Sequence, residues 1–69
     1  MDRRDFNPLY TLRYDTADGE VVKTRLLRSE VLLFEGPKVN AMGLAGEAWD
    51  IAVLNEQGWD VTGRFACFT

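Results

Sequence analysis

Two stretches near the start of the chain alternate between apolar and polar residues, the pattern that places every second side chain on one face of a β-strand. Between them lies DTADG, residues 15–19, whose composition is typical of a turn. Pairing Tyr14 with Glu20 across this turn sets Leu12 opposite Val22. The apolar residues of both stretches then share one face, so the pattern predicts a β-hairpin in this register.

The next segment, SEVLLFEG at residues 29–36, is a short apolar run rich in β-forming residues. It predicts a third strand, or a continuation of the second strand after a bend at Arg28 and Ser29. The pair Gly36-Pro37 closes it.

The segment NAMGLAGEAWDIAVLNEQG predicts a helix from about Asn40 to Gln57, with Asn40 as the N-cap and Gly58 just after the last turn. Two apolar stripes run along this helix. The first has the spacing of a side packed on a core, and consists of Leu44, Ala48, Ile51, Ala52 and Asn55. The second consists of Met42, Trp49 and Val53. One face of a small sheet cannot easily bury both stripes.

The chain ends in WDVTGRFACFT, residues 59–69, which alternates again and predicts a last strand with a bulge or a close backbone approach at Gly63. The predicted order is therefore strand, strand, strand, helix, strand. Its economical packing is an α+β fold, in which one helix covers one face of a three- to four-stranded, mainly antiparallel sheet. Residues 1–8 are charged and predict a loose leader before a single domain over residues 9–69.

The stretch LNEQGWDV, residues 54–61, marks the junction after the predicted helix, where glycine reverses the chain and the tryptophan can fold back onto the last turn. It also resembles a signature of small uncharacterised bacterial and phage domains, L-N-x-L-G-x-x-G-W-E-[LV], which joins a helix, a glycine turn and a Trp-led strand. The positions that match in order are Leu54, Asn55, Gly58, Trp59, Asp60 and Val61. The chain lacks three residues before the glycine and has aspartate in place of glutamate. The resemblance implies a small α+β fold without an assigned activity.

The residue composition limits the chemistry that the chain can perform. Among its 69 residues are no histidine and one cysteine, so neither an internal disulfide nor a metal site of ordinary ligand spacing is expected. Cys67 lies in an apolar stretch without a histidine to activate it, which favours a structural thiol over a nucleophile. We therefore expect no enzyme, no cofactor and no metal.

Charge and hydropathy indicate the surroundings in which the protein works. A net charge of −3 disfavours a general affinity for nucleic acid, which usually shows a basic footprint. The sequence has no signal-peptide pattern and no apolar run approaching about 18 residues. One unpaired cysteine fits a reducing compartment. The sequence thus predicts a cytoplasmic protein without a membrane segment, and it identifies neither the organism nor the partner.

Two surfaces are candidates for contact with another molecule. The stripe of Met42, Trp49 and Val53 is either core or an interface, and Trp and Met are enriched at interface centres. The second surface is the outer hairpin face. It is either a solvated face whose charges deter aggregation, or a docking strip for an acidic protein or for nucleic acid, and its basic residues are Arg13, Lys23 and Arg25, with Arg28 nearby.

The length of the chain favours self-association, since below roughly 70–80 residues a single core rarely supplies more than about 3–5 kcal/mol. The leading hypothesis is a small non-enzymatic protein-binding module. It would be a homodimeric accessory or inhibitory factor, phage-encoded by analogy, that occludes a surface on a larger protein. The alternative is a nucleic-acid-associated regulator that uses the basic hairpin face. A small-molecule pocket between helix and sheet ranks third, since no convergent polar groups are evident.

Overall fold

The computed structural model describes residues 7–68, so the predicted leader lies outside the described residues except for its last two positions, which are exposed. The described part forms a three-stranded antiparallel sheet, in the order β2-β1-β3, with one helical run. The predicted α+β class is therefore confirmed. In chain order the elements are β1 (Leu9–Thr16), β2 (Gly19–Leu27), the helical run α1 (residues 28–44), β3 (Trp49–Leu54) and two 3-10 turns (Thr62–Arg64 and Ala66–Phe68).

Strands β1 and β2 form the predicted hairpin, but the register differs from the prediction by one residue. The turn has only two residues, and Thr16 pairs with Gly19, whose φ of +122° glycine adopts without a Cβ penalty. Tyr14 therefore pairs with Val21 and not with Glu20. The predicted register assumed a longer loop, which the tight turn excludes.

The shift in register changes which side chains of β2 face the helix. Lys23 pairs with Leu12 on the inner face of the sheet, whereas Val22 lies on the outer face and is 50% exposed. A bulge near Arg25, whose φ is +56°, then shifts the strand by one residue and returns Leu26 to the inner face. The inner face of β2 is therefore apolar again at Leu26, after the polar residue Lys23.

Residues 28–44 form one helical run, α1, where the sequence predicted a third strand over residues 29–36. Its parts are an α-helical turn (Arg28–Glu30), a π-helical turn (Val31–Glu35) and an α-helix (Gly36–Leu44). The side chain of Glu30 accepts the N–H of Leu27 at 2.9 Å, the reciprocal half of a capping box at the helix start. The prediction was wrong because periodicity alone does not distinguish a short apolar strand from a buried helical segment.

The π-helical turn explains how a Gly-Pro pair lies inside a helix. Proline lacks an N–H and crowds the carbonyl four residues earlier, so a regular helix kinks or stops before it. Here the helix widens just before Pro37, and the N–H of Gly36 bonds the carbonyl of Val31, five residues earlier. The buried positions Val31, Gly36 and Val39 are consequently spaced by five and then three residues, which disguises the helical period.

The predicted helix over residues 40–57 is wrong beyond Leu44, where α1 ends. Residues Trp49–Leu54 form β3, which pairs with the second edge of β1. Tryptophan, isoleucine and valine favour strands, and the free edge of the central strand offers unpaired backbone groups to them. Gly58, with a φ of +83°, consequently follows a strand and not a helix.

The C-terminal segment closes the core and does not form the predicted last strand. Leu54 and Asp60 form one isolated antiparallel bridge. The N–H of Val61 donates to the carbonyl of Val53 at 2.8 Å, and the N–H of Val53 donates to Oγ1 of Thr62 at 2.8 Å. A side-chain hydroxyl therefore replaces the next backbone partner, and the chain turns away from the sheet.

The core lies between the inner face of the sheet, α1 and the C-terminal segment. Its buried members come from every one of these parts and are Leu12, Tyr14, Leu26, Val31, Val39, Ala48, Val53, Val61 and Phe65. Because α1 is on the inner face, no helix of residues 7–68 covers the outer face, where Val22 and Trp49 are 50% and 46% exposed.

Gly36 is a point of close approach between α1 and the C-terminal segment. A Cβ at this position would clash with the backbone carbonyl of Val31 and would lie 2.5 Å from the Sγ of Cys67. Distances this short are not tolerated without movement of one partner, and the backbone of a packed helix cannot rotate aside as a side chain can.

We expect Gly36→Ala to lower the free energy of unfolding by about 1–3 kcal/mol, the usual range for overpacking a core. Urea denaturation at a fixed protein concentration measures the change. Gly63→Ala is the matched control, because a Cβ there would meet nothing within 4 Å, and it should change the stability by less than about 0.5 kcal/mol. Equal losses in the two variants would show that the contact at Gly36 is unimportant.

Candidate functional site

The predicted stripe of Met42, Trp49 and Val53 is not formed. Met42 lies in α1 and is partly buried against the core. Val53 lies in β3 opposite Leu12 and is 0% exposed, so its predicted place at an interface is wrong. Trp49 pairs with Asp15 on the outer face of the sheet and is 46% exposed, so its role at an interface stays a prediction.

The predicted basic strip is also divided between separate parts of the molecule. Lys23 is on the inner face, with its Nζ 2.8 Å from Oε2 of Glu35. Arg13 remains on the outer face, 3.3 Å from a glutamate of β2. Arg25 lies at the bulge of β2 and Arg28 begins α1. The prediction that these cations share one face was wrong for Lys23, because the observed hairpin register places it on the inner face.

The ion pair between Lys23 and Glu35 connects the sheet to the helix. The two side chains are 31% and 26% exposed, so the pair is partly shielded from water. The hydrogen bond from Lys23 to Glu35 raises the pKa of the lysine above its ordinary value, against a smaller opposing effect of burial. The pair therefore has a structural role, and this lysine does not offer its charge to a partner.

A continuous apolar row lies on the side of α1 that faces solvent. Leu33 and Phe34 are each 68% exposed and Leu44 is 83% exposed. The only charged residue among the exposed positions from 33 to 44 is Lys38. We call this row the outer helix face, and its members, at helical spacing, are Leu33, Phe34, Pro37, Ala41 and Leu44. These positions have helical spacing in the sequence. The first three were not predicted to be helical, because the Gly-Pro pair indicated the end of an element.

A groove of about 730 Å³ opens at the end of the sheet where β1 begins, between the start of α1 and the C-terminal segment. Its volume is in the range of small-molecule sites. Polar or aromatic side chains in its lining include Tyr10, Arg28, Asn55, Glu56, Arg64 and Phe65. Sequence reasoning placed Arg28 near the hairpin and gave no role to Arg64, because the course of the C-terminal segment was not foreseen.

Aromatic packing supports the cationic side of this groove. The ring of Phe65 is 1% exposed and contacts the ring of Tyr10 edge-to-face, with centroids 5.1 Å apart. The guanidinium carbon of Arg28 lies 5.8 Å from the Phe65 centroid, within the range of a cation–π contact. Glu56 also lines the groove, and its Oε1 accepts the N–H of Leu9 at 2.8 Å.

Cys67, the single thiol, is half-buried in the C-terminal turn and donates to the carbonyl of Val31 across 3.9 Å. Burial raises the pKa of this thiol, which lowers its thiolate fraction near neutral pH. Within residues 7–68 no group of three or more His, Cys, Asp and Glu side chains is placed to hold a metal ion. No helix in this range combines the length and the apolar character needed to cross a membrane.

For the ion pair, a double-mutant cycle with Lys23→Met and Glu35→Gln should give a coupling of about 0.5–1 kcal/mol. Because the pKa of Lys23 is raised by folding, its contribution is fully present below the unfolded value of 10.5 and is lost as pH rises through the higher folded value. Urea denaturation at neutral and alkaline pH tests both points. An alkaline loss as large in Lys23→Met as in the wild type would refute the assignment.

For the thiol, we expect Cys67 to react with iodoacetamide at least about tenfold more slowly in the folded protein than in urea, because burial limits both access and ionisation. Mass spectrometry of timed samples at pH 8 measures the two rates. Equal rates in the folded and the unfolded chain would mean that the thiol is accessible and available for chemistry.

Comparison of the chain with protein-family models, with curated proteins and with solved structures finds no match. The resemblance of residues 54–61 to the bacterial and phage signature therefore rests on those residues alone. The helix that the signature places before its glycine is not formed here, because that position is occupied by β3.

Proposed function

We propose that the protein is a non-enzymatic protein-binding module that acts as a homodimer assembled through the outer helix face. The observation that supports the proposal is the exposure of Leu33, Phe34 and Leu44, at 68%, 68% and 83%, on a helix whose other side is already packed on the sheet. Contiguous exposed apolar surface of this kind marks interaction sites on soluble proteins.

The size of the outer helix face is consistent with a second copy as its partner. The face presents on the order of 500 Å² of apolar surface, comparable with the largest patch on a typical monomer, which is often functional. Two copies would bury about twice that area, roughly 1,000 Å², which is the lower limit for a specific interface. The dimer is therefore expected to be of modest affinity.

The sequence of the outer helix face is complementary to itself in an antiparallel arrangement. With a two-fold axis near the middle of α1, Phe34 of one copy meets Leu44 of the other, and Pro37 meets Ala41. Large side chains then lie against large ones at the ends, while small ones in the centre allow the helices to approach. Each Lys38 lies beside the partner's Asn40 and not beside the other lysine, so no like charges are buried together.

Such a dimer presents two outer sheet faces to a larger protein. Each face carries Trp49 and Val22, about half exposed, with the ion pair of Arg13 and Glu20 beside them. In this proposal the aromatic side chain supplies the apolar contact and the charges set the orientation, so that the dimer occludes a surface as an accessory or inhibitory factor. The free thiol of Cys67 fits action in a reducing compartment such as the cytoplasm.

The alternative, a nucleic-acid-associated regulator, gains no support from the arrangement of the cations. Arg13 and Lys23 are on opposite faces of the sheet and each is engaged with a glutamate. A groove or stripe of phosphate-binding cations requires several of them on one surface.

Sedimentation equilibrium from low micromolar to millimolar concentration tests the dimer. We expect Phe34→Glu to raise the dimer dissociation constant at least about tenfold, since loss of a large aromatic contact commonly costs more than about 1 kcal/mol and the new charge must be desolvated. Val22→Glu is the matched control, because it adds the same charge at an apolar position that is 50% exposed on the outer sheet face, and it should leave the dimer intact.

Two results would overturn the proposed dimer. One is a monomeric wild type over the whole concentration range, and the other is equal weakening by both substitutions. A dimer that Val22→Glu dissociates and Phe34→Glu does not would place the contact on the sheet. Circular dichroism of each variant verifies that the fold is retained.

A further inference from the structure

We infer that the groove at the start of β1 binds a small molecule through a phosphate or carboxylate group, with Arg28 and Arg64 as the recognising cations. This inference does not depend on the proposed dimer, because the groove and the outer helix face share no residue. It concerns a ligand site, whereas the proposed function concerns contact between proteins.

Arg28 lines the groove and contacts an aromatic ring of the core. Its guanidinium lies over the ring of Phe65, 5.8 Å from the centroid, and that ring is itself fixed by burial and by the edge-to-face contact with Tyr10. A contact with an aromatic ring leaves the guanidinium charged and cannot occupy all of its N–H donors, so donors remain for an oxyanion. A guanidinium restrained in this way loses less side-chain entropy when it binds a carboxylate or a phosphate.

Arg64 adds a second guanidinium to the same groove from the 3-10 turn next to Phe65. The ion pairs of residues 7–68 join Arg13 to Glu20 and Lys23 to Glu35, so neither groove arginine has a carboxylate partner within that range. Two cations without carboxylates are notable in a chain of net charge −3. Both positive charges line the same groove, so an oxyanion bound there would be attracted by both.

Asn55 and Glu56 are further polar residues of the groove lining. The side-chain oxygen of Asn55 accepts the N–H groups of Gln57 and Trp59, at 3.0 and 2.9 Å, which leaves its NH₂ group to donate. One carboxylate oxygen of Glu56 is engaged by the N–H of Leu9 at 2.8 Å. With Arg28, Arg64 and the carboxylate of Glu56 in its lining, the groove carries a net charge of +1, which favours an oxyanion.

The volume of about 730 Å³ exceeds that of an isolated phosphate or carboxylate, so the groove has room for an attached organic group. Tyr10 and Val61 provide apolar wall on which such a group can rest. The ligand class is thus a small organic oxyanion, and a phosphate ester and a carboxylate are its two forms.

Titration of the ¹⁵N-labelled protein, observed by NMR, tests the inference with three probes of one ring size: phenyl phosphate, benzoate and neutral phenol. We expect saturable shifts of the Arg28 and Arg64 side-chain N–H signals and of the backbone around Phe65 with one or both anions and none with phenol. Arg64→Ala should weaken binding at least about tenfold, as expected for loss of a charged hydrogen bond. Whichever anion binds more tightly identifies the form of the ligand.

Arg28→Lys is the second variant, because it keeps the charge while it removes the planar fork, and it should weaken binding by several-fold. Arg13→Ala is the matched control, since that arginine is exposed on the outer sheet face, and it should leave the dissociation constant within about twofold. Phe34→Glu should retain the binding, which separates this inference from the proposed dimer. Shifts that sodium chloride of equal ionic strength reproduces, or binding unaffected by Arg64→Ala and by Arg28→Lys, would overturn the inference.

Discussion

The contact between Gly36 and the C-terminal segment is the constraint on which the rest of the structure depends. Only a residue without a Cβ allows the turn that holds Cys67 to approach the helix this closely. That approach lets the segment bring Phe65 into the core, where the ring supports Tyr10 and Arg28. The core and the groove therefore both depend on one close packing between Gly36 and Cys67, which are 31 residues apart in sequence.

The sequence predicted those features that depend on neighbouring residues. The alternation of apolar and polar residues on both sides of a turn was enough to predict the hairpin, because both strands and their connection lie within one short stretch. Its register was wrong by one residue, since a two-residue turn and a bulge at Arg25 are both compatible with the same alternation. The α+β class was robust to these errors, because it needs only a helix, a hairpin and one more strand.

The elements that failed are those in which tertiary contacts override local preference. The run after β2 is helical because its apolar residues pack against the sheet across a widened turn, and no simple period describes their spacing. Residues Trp49–Leu54 form a strand because they pair with the second edge of β1, although the apolar residues of this segment also fit a helical spacing. These errors also affected the candidate site residues. Val53 is buried in the core and not at a surface, and Lys23 forms an ion pair with Glu35 on the inner face. The prediction of an over-apolar helix was made for residues 40–57, most of which are not helical. Exposed apolar residues are found instead on α1, at Leu33, Phe34 and Leu44, of which only Leu44 lay in the predicted helix.

The π-helical turn in α1 has a consequence for how this surface can change through evolution. Each residue added to or removed from a helix rotates everything on one side of the change by about 100° relative to the other. Loss of a single residue within Val31–Glu35 would restore a regular α-helix. It would also rotate the first part of α1, which carries Arg28, relative to the last part, which carries Leu44. A one-codon deletion could therefore reorient the cation toward or away from the groove while every side chain that remains keeps its chemical identity.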